Sequence, residues 1–275
     1  MYDPNTVIAT INSITDANQF CNTYNHNNRY NGLKLGQKIK INDGVYNINW
    51  LIAGVDYEAD NVADDGSPNN NGYGICLIPE SVPIRLVQWD SRVPWNSVDF
   101  NDMMHIPYMN STIRTNALRS IGNNLKNVLG DHLINRNVLL GSSVSNSLYQ
   151  GTTAYTWTKD YCTLMSPLQI IGENCYRISS DDDYVMISNN YDNGEANYKL
   201  PLFNYMKLNT YIHRDVFDAD IWLRAYAGVY DYIASGKTYY RETAWKLTSN
   251  GNLFVTLSYN DTAGETTACP MIYIR

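Results

Sequence analysis

The residues able to support nucleophilic, redox or metal chemistry are few and scattered. The five cysteines, Cys21, Cys76, Cys162, Cys175 and Cys269, lie far apart, and none belongs to a Cys-x-x-Cys pair. Neither a zinc site nor a redox motif is therefore predicted. An odd count with no signal peptide suits a chain made in a reducing cytoplasm, where the cysteines serve as small buried hydrophobes, all five with free thiols. Of the four histidines, His26 falls in an Asn-rich stretch and His132 follows a helix stop, while His105 and His213 belong to no recognisable motif. No Gly-x-Ser-x-Gly elbow, His-Glu-x-x-His pair or phosphate-binding loop occurs, so no nucleophile is seen beside a base. We therefore expect a non-enzymatic chain with no catalytic residues, no metal site and no cofactor.

Carboxylates cluster at Asp64-Asp65 and Asp181-Asp182-Asp183. Both groups sit in polar stretches, where solvated loop charge is the plain reading and a calcium ion, which needs several loop oxygens, is the sharper one. Paired carboxylates for glycoside hydrolysis would need a defined separation that the sequence alone does not set.

The net charge of −7, with no run of Lys and Arg longer than two residues, argues against nucleic-acid binding. No apolar run approaches the ~20 residues of a membrane span, so no membrane insertion is predicted. Charged residues make up only 17% of the chain, and Asn (35) and Tyr (23) take up the difference. Asn favours turns and caps, whereas Tyr favours half-wet surfaces and interfaces. The tyrosines concentrate in one place. Tyr226, Tyr230, Tyr232, Tyr239 and Tyr240 are interleaved with Gly228, Ser235 and Gly236, the composition of adaptable protein-binding surfaces. We read residues 226–240 as a hairpin loop and candidate binding surface. Contact with a host or ligand, a subunit interface and the mere lining of a long hairpin all remain open.

The elements that would position these residues follow from periodicity. Val7, Ile11, Ile14 and Cys21 form one stripe at helical spacing, so a helix is predicted from Pro4 to about Tyr24. The alternation through Lys38–Trp50 around Asp43-Gly44 predicts a hairpin, whose second strand runs inward through Leu51–Val55. Tyr57–Tyr73 reads as a loop and Gly74–Pro79 as a buried strand. Ile113, Ala117, Ile121, Leu125 and Val128 predict a second helix over Ser111–Leu129, stopped by Gly130. Val138–Leu140 and Tyr161–Met165 read as short strands, and Ser166-Pro167 starts a short helix over Leu168–Ile171. Strands are predicted at Asp220–Ala225, Ala244–Leu247, Leu253–Tyr259 and Met271–Ile274. The sum is an α+β fold with mixed short strands, two main helices and long loops.

The closing segment carries a resemblance. Asp220-Ile221-Trp222-Leu223-Arg224 is followed about twenty residues later by Ala244-Trp245-Lys246-Leu247-Thr248-Ser249-Asn250-Gly251, and the chain closes on Ala268-Cys269-Pro270-Met271-Ile272-Tyr273-Ile274-Arg275. This resembles a family of phage and bacterial domains related to the C-type-lectin-like and formylglycine-generating-enzyme-like folds. Members carry a Trp-Leu-Arg strand, a strand ending at an Asn-Gly turn, and a final strand near Val-Arg-Pro, where this chain has Ala268-Cys269-Pro270. The resemblance covers residues 33–275 and implies a C-type-lectin-like domain in which Trp222, Arg224 and Trp245 are architectural. Residues 1–32 would then be an N-terminal helix and linker that docks on a neighbour. Tyr259-Asn260-Asp261 is similar to the calcium motif of true C-type lectins, without its companion motif or disulfides. The cysteine spacings do not reproduce the thiol site of formylglycine-generating enzymes.

Taken together, the expectation is a bacteriophage virion surface protein, made in the host cytoplasm, that binds a host receptor or glycan. A decoration or assembly protein of capsid or tail is the alternative, and an enzyme on the same fold a more distant one. Its expected partners are other virion proteins, further copies of itself as a homo-oligomer, and a host-surface glycan or protein.

Overall fold

A computed structural model describes residues 2–57, 72–81, 88–92, 97–148, 152–171, 175–180, 183–186, 199–206, 220–248, 253–257 and 266–275. Its centre is a six-stranded mixed sheet in the order β1-β2-β3-β4-β14-β7. The strands are β1 (Val7–Ile11), β2 (Lys38–Asn42), β3 (Asn47–Val55), β4 (Ile75–Pro79), β7 (Thr163–Leu164) and β14 (Pro270–Ile274). β1 runs parallel to β2, and every other pair is antiparallel. The Asp43-Gly44 hairpin forms as expected, with Gly44 at φ +87° and the Asp43 carboxylate accepting the Val45 and Tyr46 N–H groups at 2.8 and 2.6 Å.

Both faces of the sheet are covered, which explains the unbroken apolar runs of β3 and β4. Trp50, Ile52 and Leu77 face one core, with α1 (Ile14–Thr23) and α2 (Arg119–Leu129). Leu51, Ala53 and Ile78 face a second core, built with Leu202, Phe203, Ile221 and Leu223. The short helix α3 (Pro167–Ile171) starts on a reciprocal cap: Ser166 Oγ accepts the Gln169 N–H at 3.2 Å, and Gln169 Oε1 accepts the Ser166 N–H at 2.9 Å.

Residues 4–24 depart from the expected single helix. Val7–Ile11 is a strand, and α1 begins only at Ile14, capped by Ser13, which accepts the Asp16 N–H. The apolar spacing fits either element. The β-branched run Val7-Ile8-Ala9-Thr10-Ile11 takes the strand because β2 offers it a parallel partner. This segment docks on its own chain, since Ile11, Ala17, Phe20 and Cys21 lie in the first core. Helix α2 lies where predicted, preceded by a wider π-type turn over Ile113–Leu118, with Gly130 (φ +56°) at its end.

Two further strand pairs were not anticipated at full length. β5 (Arg136–Val144) pairs with β6 (Thr152–Asp160), and β8 (Cys175–Ser180) with β9 (Asp183–Met186). A four-stranded sheet in the order β12-β11-β10-β13 completes the fold, with β10 (Asp220–Ala234), β11 (Lys237–Leu247), β12 (Leu253–Leu257) and β13 (Thr266–Thr267). The expected loop at 57–73 falls, over 58–71, outside the described residues. So do Asp64, Asp65, Asp181, Asp182 and Tyr259-Asn260-Asp261. The protein is therefore an α+β fold made mostly of strands. Among the described residues no helix is long and apolar enough to cross a membrane.

Candidate functional site

Residues 226–240, expected as a loop, are instead the distal parts of β10 and β11, joined by a two-residue turn at Ser235-Gly236. Both turn residues have positive φ, +53° and +73°. This geometry matches the twist of a hairpin and suits glycine at the second position. The pairing runs Tyr230–Arg241, Asp231–Tyr240, Tyr232–Tyr239 and Ile233–Thr238, so it is strand alternation that sets where the tyrosines stand. Tyr239 occupies one face of the hairpin, and Tyr240 shares the other with Ile233. The side chains of Tyr226, Tyr230 and Tyr232 lie outside the described residues.

Among the described residues β12 pairs with β11 from Thr243 to Leu247, and β11 continues beyond that pairing to the Ser235-Gly236 turn. Among the described residues, isolated bridges also join Ser97 to Tyr240 and Leu148 to Val229. Ser97 and Tyr240 exchange two backbone hydrogen bonds of 3.1 and 2.8 Å. The Tyr240 ring meets Phe100 edge-on at 5.5 Å, and Phe100 meets His105 at 5.1 Å. Burial holds the His105 imidazole below the ordinary histidine range. The hairpin is not exposed throughout: Val229 is fully buried, and Tyr239 and Tyr240 are half-buried. Among the described side chains Ile233 at the tip is 77% exposed, and the neighbouring Ser97–His105 segment adds Val98 and Met104 at 64% and 48%.

At its base the same hairpin carries the signature residues. Trp222 is fully buried against Trp89, ring centroids 6.0 Å apart. Leu223 faces the second core. The buried Arg224 donates from Nη1 to the Leu139 carbonyl of β5 at 3.1 Å, and its N–H donates to the Met165 carbonyl at 3.0 Å. Asp220 and Lys246 lie on the Trp222 face and form a largely buried ion pair at 2.6 Å. Trp245 sits opposite Val255 of β12, with its side chain outside the described residues. Trp222 and Arg224 thus both make buried contacts at the hairpin base.

One cluster escaped the sequence reading. His26 Nδ1 lies 2.9 Å from Asp56 Oδ2, the Tyr30 hydroxyl donates to Asp56 Oδ1, and Gly74 N–H donates to the same oxygen at 3.0 Å. The His26 ring stacks on Tyr73 at 3.4 Å. Burial first, and then the bond to Asp56, push the Tyr30 phenol up. Arg29, Tyr30 and Asn31 all have left-handed backbone (φ +50°, +55° and +46°), as does Asp56. Only positive-φ-tolerant Asn, Asp and Gly neighbours hinted at this turn.

Among the described residues no three His, Cys, Asp or Glu side chains converge as metal ligands. Cys21, Cys76, Cys162 and Cys269 are buried, and the side chain of Cys175 lies outside the described residues. Burial pushes the Cys21 thiol up to about 12 and the Cys162 thiol well above its ordinary value. Both are therefore expected to resist a maleimide in the native protein at pH 8 and to react on unfolding, as peptide mapping by mass spectrometry would show. Rapid native labelling of either would contradict this packing.

Comparison with family models, curated proteins and solved structures finds no match for this chain.

Proposed function

We propose that this protein is a non-enzymatic attachment module of a bacteriophage particle, with a C-type-lectin-like architecture, and that the tip of the β10–β11 hairpin is its contact surface. One observation carries the reading. Among the described residues the hairpin extends past its pairing with β12, and near its turn it carries an exposed Ile233, with the half-buried Tyr240 on the same face and the half-buried Tyr239 on the other. Rigid aromatics beside an exposed aliphatic residue supply contact area with little loss of side-chain freedom. The order of the Trp222-Leu223-Arg224 strand, its partner β11, the antiparallel β12 and the final strand β14 supports the C-type-lectin-like part of the proposal.

The test is the double variant Ile233→Ser with Tyr239→Ser. Both side chains are exposed or half-buried, so the unfolding midpoint should stay near the parent's. Attachment should weaken by about tenfold, roughly 1.4 kcal/mol. Lost adsorption to intact host cells would favour a receptor-binding role, and lost incorporation into particles a decoration or assembly role. A folded variant that adsorbs and incorporates normally would remove the hairpin tip as the contact surface.

A further inference from the structure

A cleft of about 210 Å³ opens between helix α2 and the end of strand β6, remote in sequence from the hairpin. Its closeness begins with Gly122. A Cβ there would stand 3.2 Å from Tyr161 Cβ, so the glycine lets α2 approach the chain just beyond β6. One wall is an ion pair. Arg114 donates from Nε and Nη2 to the two Asp160 oxygens at 2.8 and 2.9 Å, and from Nη1 to the Met109 carbonyl at 2.6 Å. Both partners of this pair are largely buried, so the wall is fixed and its charges are neutralised.

The remaining polar lining is mostly donors. Arg119 and Asn123 stand one turn apart on α2, Lys159 precedes Asp160 on β6, and Asn135 faces them. Arg119 and Lys159 are exposed and have no charged or hydrogen-bonding partner among the described residues. The lining therefore carries a local excess of positive charge on a chain whose net charge is −7. Two unpaired cations at one cleft repel each other, and an anion between them removes that repulsion. A guanidinium fork, an ammonium and two amide groups match the several acceptor oxygens of one tetrahedral or planar oxyanion. The cleft is smaller than the ~300–1,000 Å³ typical of drug-sized ligands, which limits the occupant to a small group.

We propose that this cleft binds a small oxyanion, the phosphate, sulfate or carboxylate of a compact ligand, between Arg119 and Lys159. Such a site works independently of the hairpin tip and does not require it.

The test is a titration of the whole protein with inorganic phosphate, inorganic sulfate and glucuronate in turn, at low ionic strength, followed by amide NMR shifts. Saturable shifts at Arg119, Gly122, Asn123 and Lys159 are expected, and the ranking of the three probes identifies the preferred oxyanion source. The double variant Arg119→Gln with Lys159→Gln should weaken the best probe by about tenfold. Lys34→Gln with Lys40→Gln removes the same charge elsewhere and should leave binding near the parent value. Absence of saturation with all three probes would overturn the proposal. So would equal weakening by the two double variants, which would mean that general charge attraction alone had been measured.

Discussion

Replacing Trp222 with Ala is expected to lower the stability of the folded protein by about 3–5 kcal/mol, the range for emptying a buried Trp site. The indole is fully buried, at the point where the hairpin base meets the first core. It packs on Trp89, which packs in turn on Tyr108 at 5.4 Å. The buried Tyr108 hydroxyl accepts the Leu164 N–H at 3.1 Å and lies 3.3 Å from Thr163 Oγ1, so this aromatic chain reaches the edge strand β7 of the main sheet. A cavity at Trp222 removes one of the contacts that hold the hairpin base on the main sheet. Chemical denaturation, read by far-UV dichroism, measures the loss. Trp222→Phe, which keeps a ring in the site, should lose clearly less. If the alanine variant unfolded at the parent's midpoint, the hairpin base would not be part of the core.

Asp90→Ala is expected to cost about 2–4 kcal/mol, through lost polar satisfaction instead of lost volume. The Asp90 side chain is fully buried. One oxygen accepts the Arg92 N–H and Nε at 2.8 and 2.9 Å, and the other accepts Arg92 Nη2 and the Thr112 N–H at 2.7 and 2.8 Å. The Thr112 bond anchors the start of the helical run leading into α2, and the Ile113 N–H donates to the Trp89 carbonyl beside it. Deleting the carboxylate leaves two backbone donors without an acceptor. The half-exposed Arg92 side chain turns to water, so its charge adds little to the loss. Asp90→Asn keeps the shape but sets an amide NH₂ against these donors, and it should lose nearly as much. An asparagine variant as stable as the parent would show that the anion is not what holds this junction. Equilibrium unfolding of both variants decides the matter.

What the sequence discloses depends on how far apart the interacting residues are. The β2–β3 hairpin was legible because Asp43-Gly44 and its flanking alternation lie within a dozen residues. Helix α2 was legible because its apolar stripe is strict. Its π-type opening was not, since Thr115 Oγ1 bonding back to the Ser111 carbonyl at 2.9 Å gives no periodic signal. β1 was misread because its spacing fits a helix as well as a strand, and only the distant β2 decides between them. In the hairpin, Tyr with Gly and Ser marked the right residues for the wrong reason. The Ser235-Gly236 turn was taken as part of a loop, so the alternation that sets Tyr239 on one face and Ile233 with Tyr240 on the other went unseen. The His26–Asp56–Tyr30 cluster joins residues about thirty apart through a left-handed turn, and no local pattern announces such a meeting.

The position of β14 bears on how the chain reaches this state. It lies inside the main sheet, bonded to β4 through Leu77–Ile272 and to β7 through Leu164–Pro270. These partners were made about 200 and 100 residues earlier, so closing the sheet joins chain segments of very large sequence separation, which slows folding. Until β14 has left the ribosome, the edges of β4 and β7 that it pairs with are bare. During that interval the nascent chain resembles an open template for strand pairing with other copies of itself. The exposure of the β4 edge therefore lasts as long as synthesis from β4 to the five-residue β14 takes, and slowing that stretch lengthens it.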